Sequence, residues 1–289
     1  MKKLKKTMTN FNVMLAHPYG KKDFDKDSFI QPKLDGIRCY ITKDGAFSRN
    51  HKEFKTIEHI KEAFKPLFKE EPQLILDGEL YNHQFKNNFN KIISLVRKKN
   101  PTKQNKEDAE RYIQFHWYDY SNFNYKDEEY SADFRTRNMF IADIMIRLKS
   151  RHIIDVQTHD VSGMESAKSW HAYFLEQGYE GSIIRNNKPY EQKRSYNLQK
   201  FKDFQDAEAQ IIGWVEGKGK RIGTIGKFLA RDSDGNEFGM PVMNEYKIME
   251  KMYDIADWYI GKTATFTYFQ RTPSGSYRHP LFKCVRNYE

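Results

Sequence analysis

The run KLDGIR, from Lys33 to Arg38, places a primary amine, an Asp-Gly pair and a guanidinium within six residues. Ser28 to Leu34 reads as a strand and Asp35-Gly36 as a two-residue hairpin turn. On the strand after it, Ile37, Cys39 and Ile41 alternate with Arg38, Tyr40 and Thr42. Lys33 is thereby expected at the lip of a hairpin. Its ammonium becomes a nucleophile only if desolvation or a neighbouring cation lowers its pKa, and Arg38 is the nearest cation in sequence. A second Asp-Gly pair opens LDGEL, which predicts that Glu79 projects from another hairpin, able to hold a ribose hydroxyl or a divalent cation. Downstream lie EGSIIR, with Glu180, and LQKFKDF, with Lys200 and Lys202. The two lysines are two residues apart on an expected strand and so face the same way. Like charges on one face repel unless an anion lies between them, and a triphosphate is such an anion. Mg²⁺, with Mn²⁺ as a substitute, prefers a few carboxylates plus water and phosphate oxygens, which suits Glu79 and Glu180 as separated ligands. Together these residues read as a nucleotide-transfer site.

In this order the motifs resemble those of the covalent nucleotidyltransferase superfamily, and within it the ATP-dependent DNA ligases, most closely the small bacteriophage-type enzymes. The resemblance spans about Gln31 to Arg286. It implies that Lys33 becomes bonded to AMP and that Leu34 and Arg38 of the same motif line the nucleotide site. It further implies that Gln31 meets the adenine edge, that Arg49 of SRN reaches the nucleotide, and that Glu79, Glu180, Lys200 and Lys202 belong to the third, fourth and fifth motifs. In FHWYDY the resemblance singles out Tyr118, just before Asp119, to stack on adenine. The ending RHPLFKCVRNYE resembles the sixth motif and makes Arg278, Lys283 and Arg286 candidates for contacting pyrophosphate, although Asn287, Tyr288 and Glu289 depart from the usual continuation. The implied activity is sealing of nicked double-stranded DNA with ATP as co-substrate. An RNA ligase, a GTP-using capping guanylyltransferase and a nick-binding protein with an inactive site are the competing readings.

Composition sets the frame for these residues. A chain of 289 residues, 38% hydrophobic and 30% charged, can bury a substantial core in one or two domains. A formal charge of +10 favours a polyanionic partner, nucleic acid ahead of membrane. Cys39 and Cys284 stand far apart with no Cys-x-x-Cys pair, and the nine histidines lack metal-ligand spacing. A zinc site is therefore not expected, and the chain reads as cytoplasmic, in a host cell if viral. The start, MKKLKK, has no secretory apolar run and reads as a basic tail, and the longest apolar-rich stretch, Asn138 to Leu148, is too short to cross a bilayer. With about thirty residues before Lys33, the large helical DNA-encircling domain of bigger ligases is not expected. A monomer is.

The elements follow from spacing. The Asp-Gly pairs at Asp35, Asp44 and Asp77 imply antiparallel sheets, and apolar residues at three-or-four spacing predict helices over Ile57–Phe68, Asn88–Lys98, Ala132–Lys149 and Gly163–Gln177. The polar stretch Lys98 to Arg111 reads as an exposed loop. After Phe204 strands are expected at Ala209–Val215, Phe228–Ala230, Thr263–Phe269 and Leu281–Val285, with a helix over Glu245–Trp258. The fold class is α+β: an antiparallel-sheet nucleotidyltransferase domain over 1–204, a hinge at Lys202–Asp206, and a small OB-type barrel over 205–289. The glycine-rich run of the second domain presents Lys218, Lys220, Arg221 and Lys227 as candidate DNA-backbone contacts.

Overall fold

The computed structural model describes residues 11–20, 22–122, 132–202, 205–268, 270–271 and 275–286. The expected basic tail and the centre of the expected hinge, Asp203 and Phe204, lie outside the described residues. The chain divides into two compact units, the boundary falling between Phe201 and Lys202.

The first unit holds two sheets. Its strands and helices run β1 (Leu15–Pro18), β2 (Ser28–Pro32), β3 (Ile37–Thr42), β4 (Gly45–Phe47), α1 (Glu58–Glu70), β5 (Leu74–Tyr81), α2 (Phe89–Val96), α3 (Lys103–Tyr112), β6 (Gln114–Asn122), α4 (Phe134–Leu148), β7 (Ile153–Asp155), β8 (His159–Val161), α5 (Met164–Glu176), β9 (Ser182–Asn186) and β10 (Arg194–Phe201). One sheet has the order β1-β10-β9-β2-β8 and the other β4-β3-β5-β6-β7, antiparallel except for the pairs β1–β10 and β6–β7.

Two expected hairpins are corrected here. β2 and β3 lie in different sheets, so Asp35-Gly36 is a crossover between sheets, and Asp77-Gly78 lies inside the continuous strand β5. Neither glycine adopts a positive φ. Close approach explains them instead: a Cβ at Gly36 would come within 2.5 Å of the Leu80 carbonyl oxygen, and one at Gly78 within 2.4 Å of the Phe115 ring. Of the three Asp-Gly pairs from which antiparallel sheets were expected, Asp44-Gly45 alone turns a hairpin, with Thr42 opposite Gly45 between β3 and β4. The expected loop at Lys98–Arg111 is also corrected, since most of it is α3. Thr102 caps that helix by accepting from the Asn105 amide at 3.2 Å, and Asn105 caps Thr102 in return. Because only Ala109 of α3 is buried, its apolar period is too thin to read.

The helices that were legible carry a clear apolar stripe. In α1, Ile60, Phe64 and Leu67 are buried, and Phe64 meets Phe115 and Trp117 of β6 edge-on with ring centres 5.7 and 5.4 Å apart. This contact closes the main core under the β4-β3-β5-β6-β7 sheet.

The second unit is built on β11 (Gln205–Glu216), β12 (Ile225–Arg231), β13 (Glu237–Pro241), α6 (Tyr246–Asp254), β14 (Thr263–Tyr268), β15 (Gln270–Arg271), β16 (Tyr277–Arg278) and β17 (Leu281–Val285). Its sheet order is β13-β12-β11-β14-β17, with β15–β16 a separate ribbon. Phe228 of β12 packs on Phe282 of β17, and Phe238 of β13 on Phe266 of β14, each with centroids 4.9 Å apart. Strands that are not neighbours in the sheet touch only if the sheet curls on itself, as in an OB-type barrel. Met249 and Met252 of α6 join that core. No helix of the described residues is long and apolar enough to cross a membrane.

Candidate active site

Register in the first sheet brings three chain segments to one end. Pro32 pairs with Ser182, and Ser182 with Phe201, so the residues just beyond, Lys33, Gly181 and Lys202, follow three adjacent strand ends. Two further backbone bonds lock the first pair: the Lys33 amide donates to Gly181 at 2.8 Å, and the Glu180 amide donates to the Lys33 carbonyl at 3.1 Å. The side chains meet as well, in an ion pair between the Lys33 ammonium and the buried Glu180 carboxylate. Lys200 is on β10 and half-buried. Its pKa is lowered, by desolvation first and then by the cations Lys33 and Arg194. Lys202 lies past the end of β10 and not on it, so the two-residue alternation expected to align it with Lys200 does not extend that far.

The second sheet supplies the opposing groups. Arg38 of β3 pairs in register with Glu79 of β5, which pairs with His116 of β6. Burial pushes the Glu79 carboxyl up to about 8, against the opposing pull of Arg38 and Lys33 and with a further push from Asp77 and Glu180. Glu79 therefore shares an electrostatic neighbourhood with Lys33 and Glu180. Arg38 itself is tied to Asp77, Nε to Oδ1 at 2.9 Å and Nη2 to Oδ2 at 2.5 Å, and Tyr190 donates to the same Asp77 at 2.7 Å.

Tyr118 owes its position to a β-bulge. Between β5 and β6 the register passes from Asp77↔Asp119 to Gly78↔Trp117, leaving Tyr118 as the extra residue. A bulge re-aims the side chain it carries. The half-buried Tyr118 ring lies between two guanidinium groups, Arg38 at 5.5 Å and Arg185 at 5.4 Å from its centroid, and desolvation raises its hydroxyl well above the ordinary pKa.

Behind the ring sits a charge network for which motif reading gave no role. Asp119 is fully buried and accepts from Arg137 of α4 at 2.7 and 3.2 Å and from Arg185 of β9 at 2.6 Å. Burial alone would raise its pKa, but the two guanidinium groups hold it below the usual range. Arg185 also donates to the Gln31 side-chain oxygen at 2.7 Å, and Gln31 donates to Thr158 at 2.9 Å. Gln31 is thus buried with both polar atoms engaged, and Leu34 is buried in the core. A signal existed for Asp119: it follows Phe115 and Trp117 at inward positions of an aromatic strand, where a carboxylate requires a buried cation.

The remaining expected residues divide by their partners. Arg49 is exposed and lines a cleft of about 1000 Å³ together with Arg38 and Glu79. In the second unit Lys218 and Lys220 are exposed and Lys227 is half-buried. Arg221 turns inward, donating to the Val242 carbonyl at 2.8 Å and reaching Met249, so it braces α6 against the sheet instead of facing outward for phosphate. Lys283 pairs with Asp206 at 2.6 Å and Arg286 with Glu208 at 2.8 Å, both acids on β11, while Arg278 stands on β16.

Residues 13–202 match the family model described as the ATP dependent DNA ligase domain, and 216–286 the DNA ligase OB-like domain. The chain belongs to the ATP-dependent DNA ligase family. A DNA ligase of African swine fever virus is 28% identical over 215 residues, covering 70% of this chain and 48% of the viral protein. The chain thus spans about half the length of that relative. A DNA ligase of Haemophilus influenzae is 24% identical, covering 78% of this chain and 76% of its own. Among solved structures, a Lig E DNA ligase matches with a TM-score of 0.78 at 22% identity, covering 95% of this chain and 99% of its own. The bacteriophage T7 ATP-dependent DNA ligase in complex with ATP matches at 0.55 and 17%, covering 96% and 100%. At these identities the two structures establish the fold, the ligase adenylation domain joined to an OB-like domain.

Proposed function

We propose that the chain is an ATP-dependent DNA ligase that seals 3′-hydroxyl/5′-phosphate nicks in duplex DNA through a Lys33–AMP intermediate. The reading is carried by the convergence of Lys33, Glu180, Glu79 and Lys200 from two sheets on one site. Glu180 is placed to take the proton that the Lys33 ammonium must lose. The freed amine then forms a nitrogen–phosphorus bond to the α-phosphorus of ATP as the bond to the bridging oxygen breaks, and pyrophosphate leaves. Lys200, half desolvated, faces the developing negative charge at lower cost than a hydrated lysine. A 5′-phosphate oxygen at the nick next displaces the amine, which recovers a proton, and the adjoining 3′-hydroxyl displaces AMP to close the backbone.

Among the described residues no cluster of three or more His, Cys, Asp or Glu forms a protein cage for a metal. The pair Glu79 and Glu180 fits Mg²⁺, or Mn²⁺ in its place, that completes its shell with water and substrate phosphates. Bound there, the ion would neutralise phosphate charge. Tyr118, held between two guanidinium groups on a bulge, is the proposed platform for adenine, with Arg38 and Arg49 near the nucleotide and Gln31 and Leu34 shaping the pocket from behind. In the second domain Lys218, Lys220 and Lys227 are the proposed backbone contacts, and Arg278, Lys283 and Arg286 the groups for pyrophosphate. The last two would have to leave Asp206 and Glu208 to act. The protein is proposed to act as a monomer, with 1–204 and 205–289 as its working domains.

The test supplies ATP, Mg²⁺ and a nicked duplex. Protein bearing AMP, a 5′-adenylated strand and joined product should appear in that order, and Lys33→Ala should form none of them. AMP found on another residue of the variant, or labelling by GTP in place of ATP, overturns the reading.

A further inference from the structure

Lys33, Glu180 and Lys200 stand at the end of one sheet of the first unit, and Arg38, Glu79 and Tyr118 stand on the other. A base on Tyr118 and an α-phosphorus at Lys33 are thus served by separate sheets. Their separation is only as fixed as the two sheets are.

Arg185 spans that gap. It lies on β9 opposite Phe29 of β2, and Gln31 is two residues further along the same face of β2. Its Nε donates to the Gln31 side-chain oxygen at 2.7 Å, while its Nη1 crosses to the other sheet and donates to Asp119 of β6 at 2.6 Å. Gln31 precedes Lys33 by two residues and Asp119 directly follows Tyr118. One planar group is therefore bonded beside the proposed nucleophile and beside the ring.

The bonds of this strut have fixed directions. A guanidinium only donates, so the Gln31 oxygen must face it; the Gln31 amide then donates to Thr158 at 2.9 Å, and the Thr158 hydroxyl donates to the Val156 carbonyl at 2.9 Å. The Arg185 and Asp119 side chains are 5% and 0% exposed, and the guanidinium packs 5.4 Å from the Tyr118 ring centre and 4.9 Å from that of Phe134. A buried fork of this kind cannot swing without leaving a charge unpaired. Arg137 is the contrast. It shares the Asp119 carboxylate and is equally buried, yet its Nη1 donates to the Ala132 and Lys188 carbonyls at 2.6 and 3.1 Å, both of them outside the strands.

We propose that Arg185 is a positioning residue for AMP transfer, setting the spacing between the adenine platform on one sheet and the Lys33 amine on the other. This rests on the ligase reading of the site.

The experiment compares R185K, Q31M and R137K with the unaltered chain at a temperature where all four are folded. R185K keeps a cation beside Asp119 but loses the fork. Q31M removes the far end of the strut and leaves Arg185 on Asp119, and R137K perturbs the same buried anion without altering the strut. Calorimetry measures binding of adenosine and of α,β-methylene-ATP, whose carbon bridge blocks AMP transfer. Single-turnover labelling measures the rate of AMP transfer at saturating ATP. A ligand that bridges two half-sites loses affinity when their spacing is no longer held, and a ligand confined to one half-site does not. R185K and Q31M should each weaken the analogue by at least about tenfold and adenosine by less than about threefold. Both should slow AMP transfer by at least about tenfold even at saturating ATP, the effect of a misplaced reacting pair. R137K should stay within about threefold of the unaltered chain in analogue binding and in transfer rate. Losses in R137K equal to those in R185K overturn the proposal, by making the network one of stability alone. Equal weakening of adenosine and the analogue in R185K also overturns it, by confining Arg185 to the base, and so do unchanged analogue binding and transfer. An unaltered chain that binds the analogue but takes no AMP from ATP strikes the ligase reading, and the binding comparison then decides the strut by itself.

Discussion

In the proposed reaction Lys33 must surrender a proton before it can attack phosphorus, and the group paired with it is a buried carboxylate. Glu180→Gln should therefore keep the fold and the ATP site but slow AMP transfer by at least about tenfold, the lower range for a positioned proton acceptor near 10²–10⁴. Single-turnover labelling over pH 6–9 checks this, and a rate equal to that of the unaltered chain removes Glu180 from proton transfer. Glu79 gives a second, thermodynamic signature. Its carboxyl is held at about 8 by burial, against an ordinary value of 4.5, so across that window the folded chain keeps a proton that the unfolded chain releases. Stability contributed by this group is consequently greatest below the window and declines as pH rises through it. Urea midpoints at pH 5 and pH 8 should converge in Glu79→Gln relative to the unaltered chain, the difference amounting to roughly 1–3 kcal/mol. Asp119 tests the network behind the ring. Asp119→Asn leaves Arg137 and Arg185 buried without their anion, which costs about 3–5 kcal/mol for a broken buried pair, so a shift in the unfolding midpoint below about 1 kcal/mol would mean that water reaches the site. Motif residues such as Lys33, Glu79 and Glu180 were legible because chemistry restricts their types. Arg137, on a helix far along the chain, carried no local sign of its partner.

Glycine at positions 36 and 78 is required by the approach of one strand to another, and that makes a prediction at the level of elements. Gly78→Ala would drive a methyl into the Phe115 ring at 2.4 Å and the His116 carbonyl at 2.5 Å, where β5 and β6 carry the bulge that aims Tyr118. The β5–β6 ladder must open to admit it, so the variant should lose AMP transfer together with thermal stability, whereas Gly235→Ala, at a turn with open space around it, should lose no more than the strain of its positive φ. Calorimetry of the two variants beside an ATP-labelling assay checks both halves. The same geometry explains why Asp-Gly misled at Asp35 and Asp77: turn chemistry and close backbone approach both select glycine, and only the partner strand distinguishes them. Helices α1, α2, α4 and α5 were readable within about two residues because each buries an apolar stripe. α3 depends on its cap instead. Thr102→Ala should destabilise the chain by about 1 kcal/mol, the usual worth of a lost N-cap.

At the scale of the whole molecule the governing quantity is the excess of ten positive charges, to which the cleft cations and the exposed Lys218 and Lys220 contribute charge that faces solvent. Charge of this kind acts on a polyelectrolyte by releasing its condensed counterions, and the free energy of that release falls with the logarithm of salt concentration. The ion pairs inside the candidate active site respond differently. Lys33–Glu180 and Arg38–Asp77 are largely withdrawn from solvent, and mobile ions screen such pairs far less than exposed charges. The two halves of the reaction should therefore separate when salt is raised from about 50 to 200 mM. Affinity for a nicked duplex should drop by at least about a hundredfold, the effect of four or more phosphate contacts, while transfer of AMP to Lys33 in the absence of DNA changes less than about threefold. Anisotropy titrations and gel-resolved labelling on the same preparation measure both. A flat DNA affinity would assign the basic surface to solubility alone, and an AMP-transfer rate that fell in parallel with it would show that the charges serve the triphosphate and not the duplex.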